Sequence, residues 1–352
     1  KAEGEPYLQP LYNEDDAKRT ADHFVTVESE TGLRSMRMSA FYTPMPATSS
    51  GSAAVSLRVK GRRQETHLTF SGDVGRYKDV ILRSPEVFPQ ADYILLESTY
   101  GNSLHDPVET TPDMLLKFIV HTCLQKKGKL IIPAFSVGRT QELLYALNTL
   151  EEERRLPSLD YYVDSPLSVA ATEIVKHYPQ YFNKQIRKVL ETDNDPFAFR
   201  GLKYIKTVEE SKLLNFRDEP FVVISASGMA DAGRVKHHIK NSIGNSRNTI
   251  LLVGYCEPHS LGGRLMAGAR EVNIFGVRHE VHAEVGSIRS MSAHGDYEDL
   301  SQFLACQDPK QVKTLFIVHG EYEVQQAFQA RLLKKGFTDV RIPELHSEHG
   351  LA

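Results

Sequence analysis

Along this chain, short apolar runs rich in β-branched residues repeatedly break off in small or polar residues. Leu68-Thr-Phe-Ser-Gly-Asp73, Tyr93-Ile-Leu-Leu-Glu-Ser98, Leu130-Ile-Ile-Pro-Ala-Phe-Ser136, Tyr161-Tyr-Val-Asp-Ser-Pro166, Phe221-Val-Val-Ile-Ser-Ala-Ser227, Ile250-Leu-Leu-Val-Gly-Tyr255 and Leu315-Phe-Ile-Val-His319 share this form. Such runs fit strands buried on both faces. Amphipathic stretches lie between them at residues 112–126, 139–152, 169–176, 234–241, 297–305 and 324–335. Strands alternating with helices predict an α/β protein with layered sheets. Residues 53–59 alternate instead, a basic turn follows at Lys60–Arg63, and a second strand begins near Thr66, which reads as an antiparallel hairpin. The expected architecture is therefore mixed.

A chain of 352 residues, 41% hydrophobic and 25% charged, has ample length for two domains and a sizeable core. With a net charge of -3 there is no global attraction to nucleic acid, so any polyanion must meet a local basic patch. The apolar runs are too short to span a bilayer. Cys123, Cys256 and Cys306 are scattered and odd in number, which predicts free thiols and a reducing, cytoplasmic setting rather than a disulfide framework. The first residues, Lys1-Ala-Glu-Gly-Glu-Pro, lack the apolar stretch of a signal peptide.

In open α/β sheets, function gathers at the C-terminal ends of strands. That singles out Asp73, Glu97, Ser136, Asp164, Ser225, Ser227 and His319, and adds His294 from the small-residue loop Met291-Ser-Ala-His-Gly-Asp296. Asp73, between two glycines in Phe70-Ser-Gly-Asp-Val-Gly75, suits close approach to a metal, or a turn in which it caps local amides. Glu97 ends an apolar run, where it either orients a histidine or points to water. His294 and His319 flank one helix; each reads as a ligand or proton carrier, or as an imidazole bonded to a backbone carbonyl. His279/His282 and His346/His349 are spaced one residue short of a zinc-binding helix pair and read as structural. Walker, C-x-x-C, G-x-G-x-x-G and G-x-S-x-G patterns are absent. Two loop-to-helix junctions, Ser136-Val-Gly-Arg139 and Gly233-Arg-Val-Lys-His-His238, carry cations where free amides would welcome phosphate, or where a simple N-cap would serve.

Together these residues resemble the β-CASP branch of the metallo-β-lactamase fold, the RNA-processing nucleases such as ribonuclease J and the cleavage-and-polyadenylation endonuclease. Phe70-Ser-Gly-Asp-Val-Gly75 is similar to the family's fourth metal motif, Leu96-Glu-Ser-Thr-Tyr-Gly101 to motif A, Ser292-Ala-His294 to motif B and Val318-His-Gly-Glu321 to motif C. Pro133-Ala-Phe-Ser-Val-Gly-Arg139 and Ser225-Ala-Ser-Gly-Met229 resemble the inserted domain. The resemblance implies an αββα lactamase sandwich from residues 1–101 and 290–352, with an α/β β-CASP domain of 102–289 inserted. It implies two zinc ions, with Asp73 bridging them and His319 holding one, and catalysis by Asp73, Glu97 and His294. Ser136, Arg139, Ser227, Lys236, His237 and His238 would grip RNA.

Two departures weigh on that expectation. The H-x-H-x-D-H run that supplies most zinc ligands is not in this sequence, so Lys1 is expected to fall after it and the N-terminal part of the lactamase domain to be missing here. Thr48, in Ala47-Thr-Ser-Ser-Gly-Ser52, stands where a ligand histidine is expected, and threonine does not replace imidazole on zinc. Asp73 and His319 alone cannot complete a tetrahedral site. The leading expectation is thus a zinc-dependent endo- or 5′-exoribonuclease. A catalytically impaired RNA-binding scaffold is the alternative, and a small-molecule metallohydrolase of the same fold a further one. RNA is the expected partner, self-association as a homodimer stays open, and no membrane is involved.

Overall fold

A computed structural model describes residues 33–34, 38–44, 52–60 and 64–351. Thr48 and the turn residues 61–63 lie outside the described residues.

The chain enters a first sheet through β1 (Leu33–Arg34), β2 (Met38–Pro44), β3 (Ala53–Lys60), β4 (Glu65–Phe70) and β5 (Tyr93–Glu97). β1 to β4 run antiparallel, with the expected β3–β4 hairpin pairing Lys60 with Glu65. β5 is parallel to β4.

Helix α1 (Thr111–Ile119) then leads into a second sheet and gives way to a π-helical stretch over Val120–Gln125, so the predicted helix ends early as a regular one. Next come β6 (Leu130–Pro133), α2 (Arg139–Glu152), β7 (Asp160–Asp164), α3 (Pro166–Lys176), α4 (Lys184–Val189), β8 (Leu202–Tyr204) and α5 (Val208–Phe216). They are followed by β9 (Phe221–Ser225), α6 (Arg234–Ser242), β10 (Thr249–Val253), α7 (Leu261–Met266), a hairpin of β11 (Glu271–Ile274) and β12 (Val277–Glu280), and β13 (Glu284–Ile288). This sheet is all parallel, in the order β13-β10-β6-β9-β7-β8. The chain returns to the first sheet through α8 (Tyr297–Phe303), β14 (Thr314–Val318), α9 (Tyr322–Lys334) and β15 (Val340–Arg341), with β14 parallel to β5 and to β15.

Period-two alternation explains why the second sheet is buried on both faces. Leu130, Ile132, Val222, Ile224 and Leu251 face one core with Leu115, Ile119, Leu143 and Leu147 of α1 and α2. Ile131, Val223, Ile250 and Leu252 face the other with Val235 and Ile239 of α6. A third core joins Ile94, Leu96, Leu315 and Ile317 of the first sheet to Leu300, Phe303, Phe328 and Leu332 of α8 and α9. Fully burying such side chains contributes about 1.5–3 kcal/mol each relative to exposure.

The two lobes meet at a buried ion cluster. Arg76, after β4, sends Nη2 to Asp79 Oδ2 and to Glu142 Oε2 of α2, both at 3.0 Å, and Nη1 to the Ser290 carbonyl. Arg139 binds the same Glu142. Ser290 opens the segment that returns to the first sheet, so this cluster fixes how the lobes face each other over the strand ends.

Candidate functional site

β5 and β14 pair with Glu97 opposite Val318, so their C-terminal ends stop side by side. Ser98 then donates its amide to the His319 carbonyl (3.0 Å) and its hydroxyl to the Val318 carbonyl (2.9 Å). His319 turns with φ 51°, a left-handed conformation that aims its ring back over the strand ends. Gly320 is needed beside it: a Cβ there would stand 2.7 Å from Ser98 Oγ and 2.9 Å from the Ser98 carbonyl. From the other side, residue pairing between Gly75 and His294 and a 2.7 Å bond from Gly295 N to the Val74 carbonyl bring the 291–296 loop against the Asp73 turn.

The result is one constellation from four distant segments. His294 Nδ1 lies 3.1 and 3.2 Å from the two Glu97 oxygens. An ionised carboxylate only accepts, so Nδ1 carries the hydrogen and Nε2 is left for other work. His319 Nδ1 is 3.5 Å from Asp73 Oδ1 and 3.9 Å from Glu97 Oε2. Donor atoms of Asp73, His294 and His319 all lie within 4.8 Å of one another.

Glu97 is 1% exposed and accepts from Val74 N (2.7 Å), Thr99 Oγ1 (2.7 Å) and Thr99 N (3.2 Å) as well. Burial alone would push its carboxyl up; the hydrogen bonds from His294 and Thr99, together with the imidazoles of His294 and His319 beside it, outweigh that and hold it down at about 2. The Glu97 carboxylate 3.9 Å away raises His319 above the usual imidazole value, against burial and with help from Asp73.

Sequence reasoning missed His105. Its Nε2 bonds the His294 carbonyl at 2.9 Å, its amide donates to Asp296 Oδ2 at 3.1 Å, and its ring packs edge-on to Tyr100 at 4.5 Å. The signal was faint: one histidine just beyond motif A, in an otherwise irregular Asn102–Pro107 loop.

Above the constellation, the lobes enclose a cleft of about 660 Å³. Asp73, His294, Ser136, Arg139 and Ser227 line it together with the apolar Phe135, Val137, Leu167, Met229 and Tyr255.

The expected RNA-gripping set divides here. Ser136 and Ser227 reach the cleft, Ser136 also bonding Ser165 Oγ at 3.1 Å. Arg139 reaches it but is 4% exposed, with its guanidinium held by Glu142. The α2 junction is not a ring of free amides either: Gly138 N bonds Gln141 Oε1, Arg139 N the Val137 carbonyl and Thr140 N the Phe135 carbonyl. His238 does not face solvent at all. It is 2% exposed, with Nε2 on Asp164 Oδ2 at 2.6 Å and Nδ1 on Asn215 Oδ1 at 3.1 Å. Asp164 also takes Arg234 Nη1 at 2.7 Å and the Ser211 hydroxyl, so this strand-closing carboxylate anchors α5 and α6 rather than lining the cleft. Lys236 and His237 sit on α6 outside the residues that line the cleft.

The family models agree with this geometry. The Beta-Casp domain matches residues 140–265, and the Zn-dependent metallo-hydrolase RNA specificity domain matches 278–343. Among relatives, ribonuclease TTHA0252 of Thermus thermophilus is 31% identical over 93% of this chain and 73% of its own length. An RNase J-like protein of Methanocaldococcus jannaschii is 30% identical over 81% of this chain and 64% of its own. Cleavage and polyadenylation specificity factor 73 of Drosophila melanogaster is 26% identical over 97% of this chain, which spans about half, 49%, of that relative. With two lobes of the expected make, the motif side chains gathered where those lobes meet, and a relative matched along most of both chains, this protein belongs to the β-CASP family of metallo-β-lactamase-fold RNA nucleases.

Proposed function

We propose that the protein hydrolyses RNA phosphodiester bonds at the Asp73–Glu97–His294–His319 constellation, with zinc as cofactor. One observation carries this reading: carboxylate and imidazole groups from segments more than 200 residues apart converge at the floor of an inter-lobe cleft. The donor set fits the metal. Carboxylate oxygen and imidazole nitrogen suit zinc, and Asp73 and His319 would hold it, although the described residues supply fewer than the four ligands of a closed site. When bound, zinc would polarise the scissile phosphate and lower the pKa of a bound water.

The chain's own residues do the rest. Glu97 fixes the His294 ring through Nδ1, leaving Nε2 to hold a proton for the leaving oxygen. Glu97 stays ionised at neutral pH and therefore keeps His294 in that orientation. The apolar cleft wall of Phe135, Val137 and Leu167 offers exposed surface against which bases can pack. We place the domain boundaries near residues 101 and 290, where the chain leaves and regains the first sheet, and the protein in a reducing cytoplasm, in keeping with its free cysteines.

The test is metal analysis with cleavage of a labelled RNA by the protein and by Asp73→Asn and His319→Ala. Bound zinc and metal-dependent cleavage, both reduced in the variants, are expected. Salt-sensitive RNA binding with neither metal nor turnover would favour the impaired scaffold that Thr48 suggests. Turnover of a thioester or lactam with none of RNA would point to a small-molecule hydrolase.

A further inference from the structure

A chain of net charge -3 needs a local cluster of cations to hold a polyanion. The cleft does not provide one: among the described residues that line it, Arg139 is the one Lys or Arg, and Glu142 holds its guanidinium. The outer face of α6 does.

β11 and β12 pair from Glu271 with Glu280 to Ile274 with Val277, which leaves Phe275 and Gly276 as a two-residue turn. Both have positive φ, 53° and 76°. Turns of this kind favour Asn-Gly, and a bulky residue in the first position is disfavoured. The Phe275 ring is not compensated by core burial, for it is 48% exposed. It meets α6 instead. The His237 ring packs on it at 4.6 Å with a 33° tilt, and the ammonium groups of Lys236 and Lys240 stand 5.1 and 5.9 Å from its centroid. Lys236, His237 and Lys240 share one helix face. Lys236 Nζ donates to the Asp231 carbonyl at 3.1 Å, and among the described residues no carboxylate pairs with either lysine. The hairpin's own Glu271 is neutralised by Arg278.

This surface is tied to the cleft by one tight segment. Ala226, Ser227 and Met229 line the cleft; Ser227 N bonds the Ala232 carbonyl at 3.1 Å and Val235 N the Ala226 carbonyl at 3.2 Å, so α6 begins at the cleft lip.

We propose that Phe275, His237, Lys236 and Lys240 form a second contact for single-stranded RNA, outside the cleft, which grips the strand several nucleotides from the scissile bond. It rests on the reading of the protein as an RNA nuclease. The chemistry is that of sequence-tolerant strand binding: aromatic faces stack on bases, and unpaired ammonium groups displace counterions from phosphates. The contact supplies the charge that the cleft lacks.

The experiment is fluorescence anisotropy with chelator present, so that binding is read without cleavage, using oligoribonucleotides of about 16 and about 4 nucleotides. Phe275→Asn removes the ring while giving the turn its preferred Asn-Gly, so folding is retained or improved. It is expected to weaken the longer RNA about 10-fold and leave the shorter one unchanged. Lys236→Gln/Lys240→Gln is expected to make the slope of log affinity against log salt shallower by about 1.4 for the longer RNA. Wild-type affinity for the longer RNA in both variants, with the wild type binding normally, overturns the second contact alone. Failure of the wild type to bind either RNA overturns the functional reading together with it.

Discussion

Glu97→Gln separates the site's chemistry from its packing. The side chain keeps its size but loses the charge that Val74 N, Thr99 N, Thr99 Oγ1 and His294 Nδ1 all point toward. Its new amide donor must then face at least one of those donors. Holding a buried carboxyl at about 2 instead of 4.5 is worth about 3 kcal/mol at neutral pH. The group's pKa is depressed on folding, so that stability is fully present above about pH 4.5 and is lost as pH falls toward 2. Glu97→Gln should therefore lose about 3 kcal/mol in urea unfolding of metal-free protein at pH 7, with the gap to wild type closing in acid. Cleavage should fall about 10²- to 10⁴-fold in kcat, because His294 loses the partner that fixes its Nδ1 hydrogen. The assay is single-turnover cleavage of labelled RNA beside a pH series of urea melts. Wild-type kcat in Glu97→Gln, or a stability gap that stays constant from pH 7 to pH 3, would refute the reasoning.

Other substitutions probe the supports of the same site. His105→Phe keeps the edge-on contact to Tyr100 but removes the bond to the His294 carbonyl, so kcat should fall with KM nearly unchanged in steady-state cleavage. Gly320→Ala forces a methyl group within 2.7–2.9 Å of Ser98 and should cost about 1–3 kcal/mol in thermal or urea unfolding while displacing His319. Glu142→Gln leaves Arg76 and Arg139 buried without their shared carboxylate; a loss of about 3–5 kcal/mol is expected, and limited proteolysis should show the lobes loosened.

Much of this protein was legible in its linear order. Strands buried on both faces must be continuously apolar, and they end where the chain meets polar groups, so Glu97 and Asp164 could be picked out as the last residues of β5 and β7, and His319 as the residue that follows β14. The same logic, with the glycines around Asp73 and the small residues around His294, was enough to nominate the constellation. What each cation does could not be read there, because its partner either lies far along the chain or is fixed only when burial brings the two together. His238 is 74 residues from the Asp164 that buries it, and Arg76 is 66 residues from the Glu142 that joins the lobes. Arg139 looked like a phosphate ligand until Glu142, one helical turn on and buried with it, took its charge. His105 gained its place only when the chain returned with His294, 189 residues later. Local pattern sets where a strand stops; whether the charge at its end is solvated, neutralised or free depends on which distant group folding brings within about 3 Å of it.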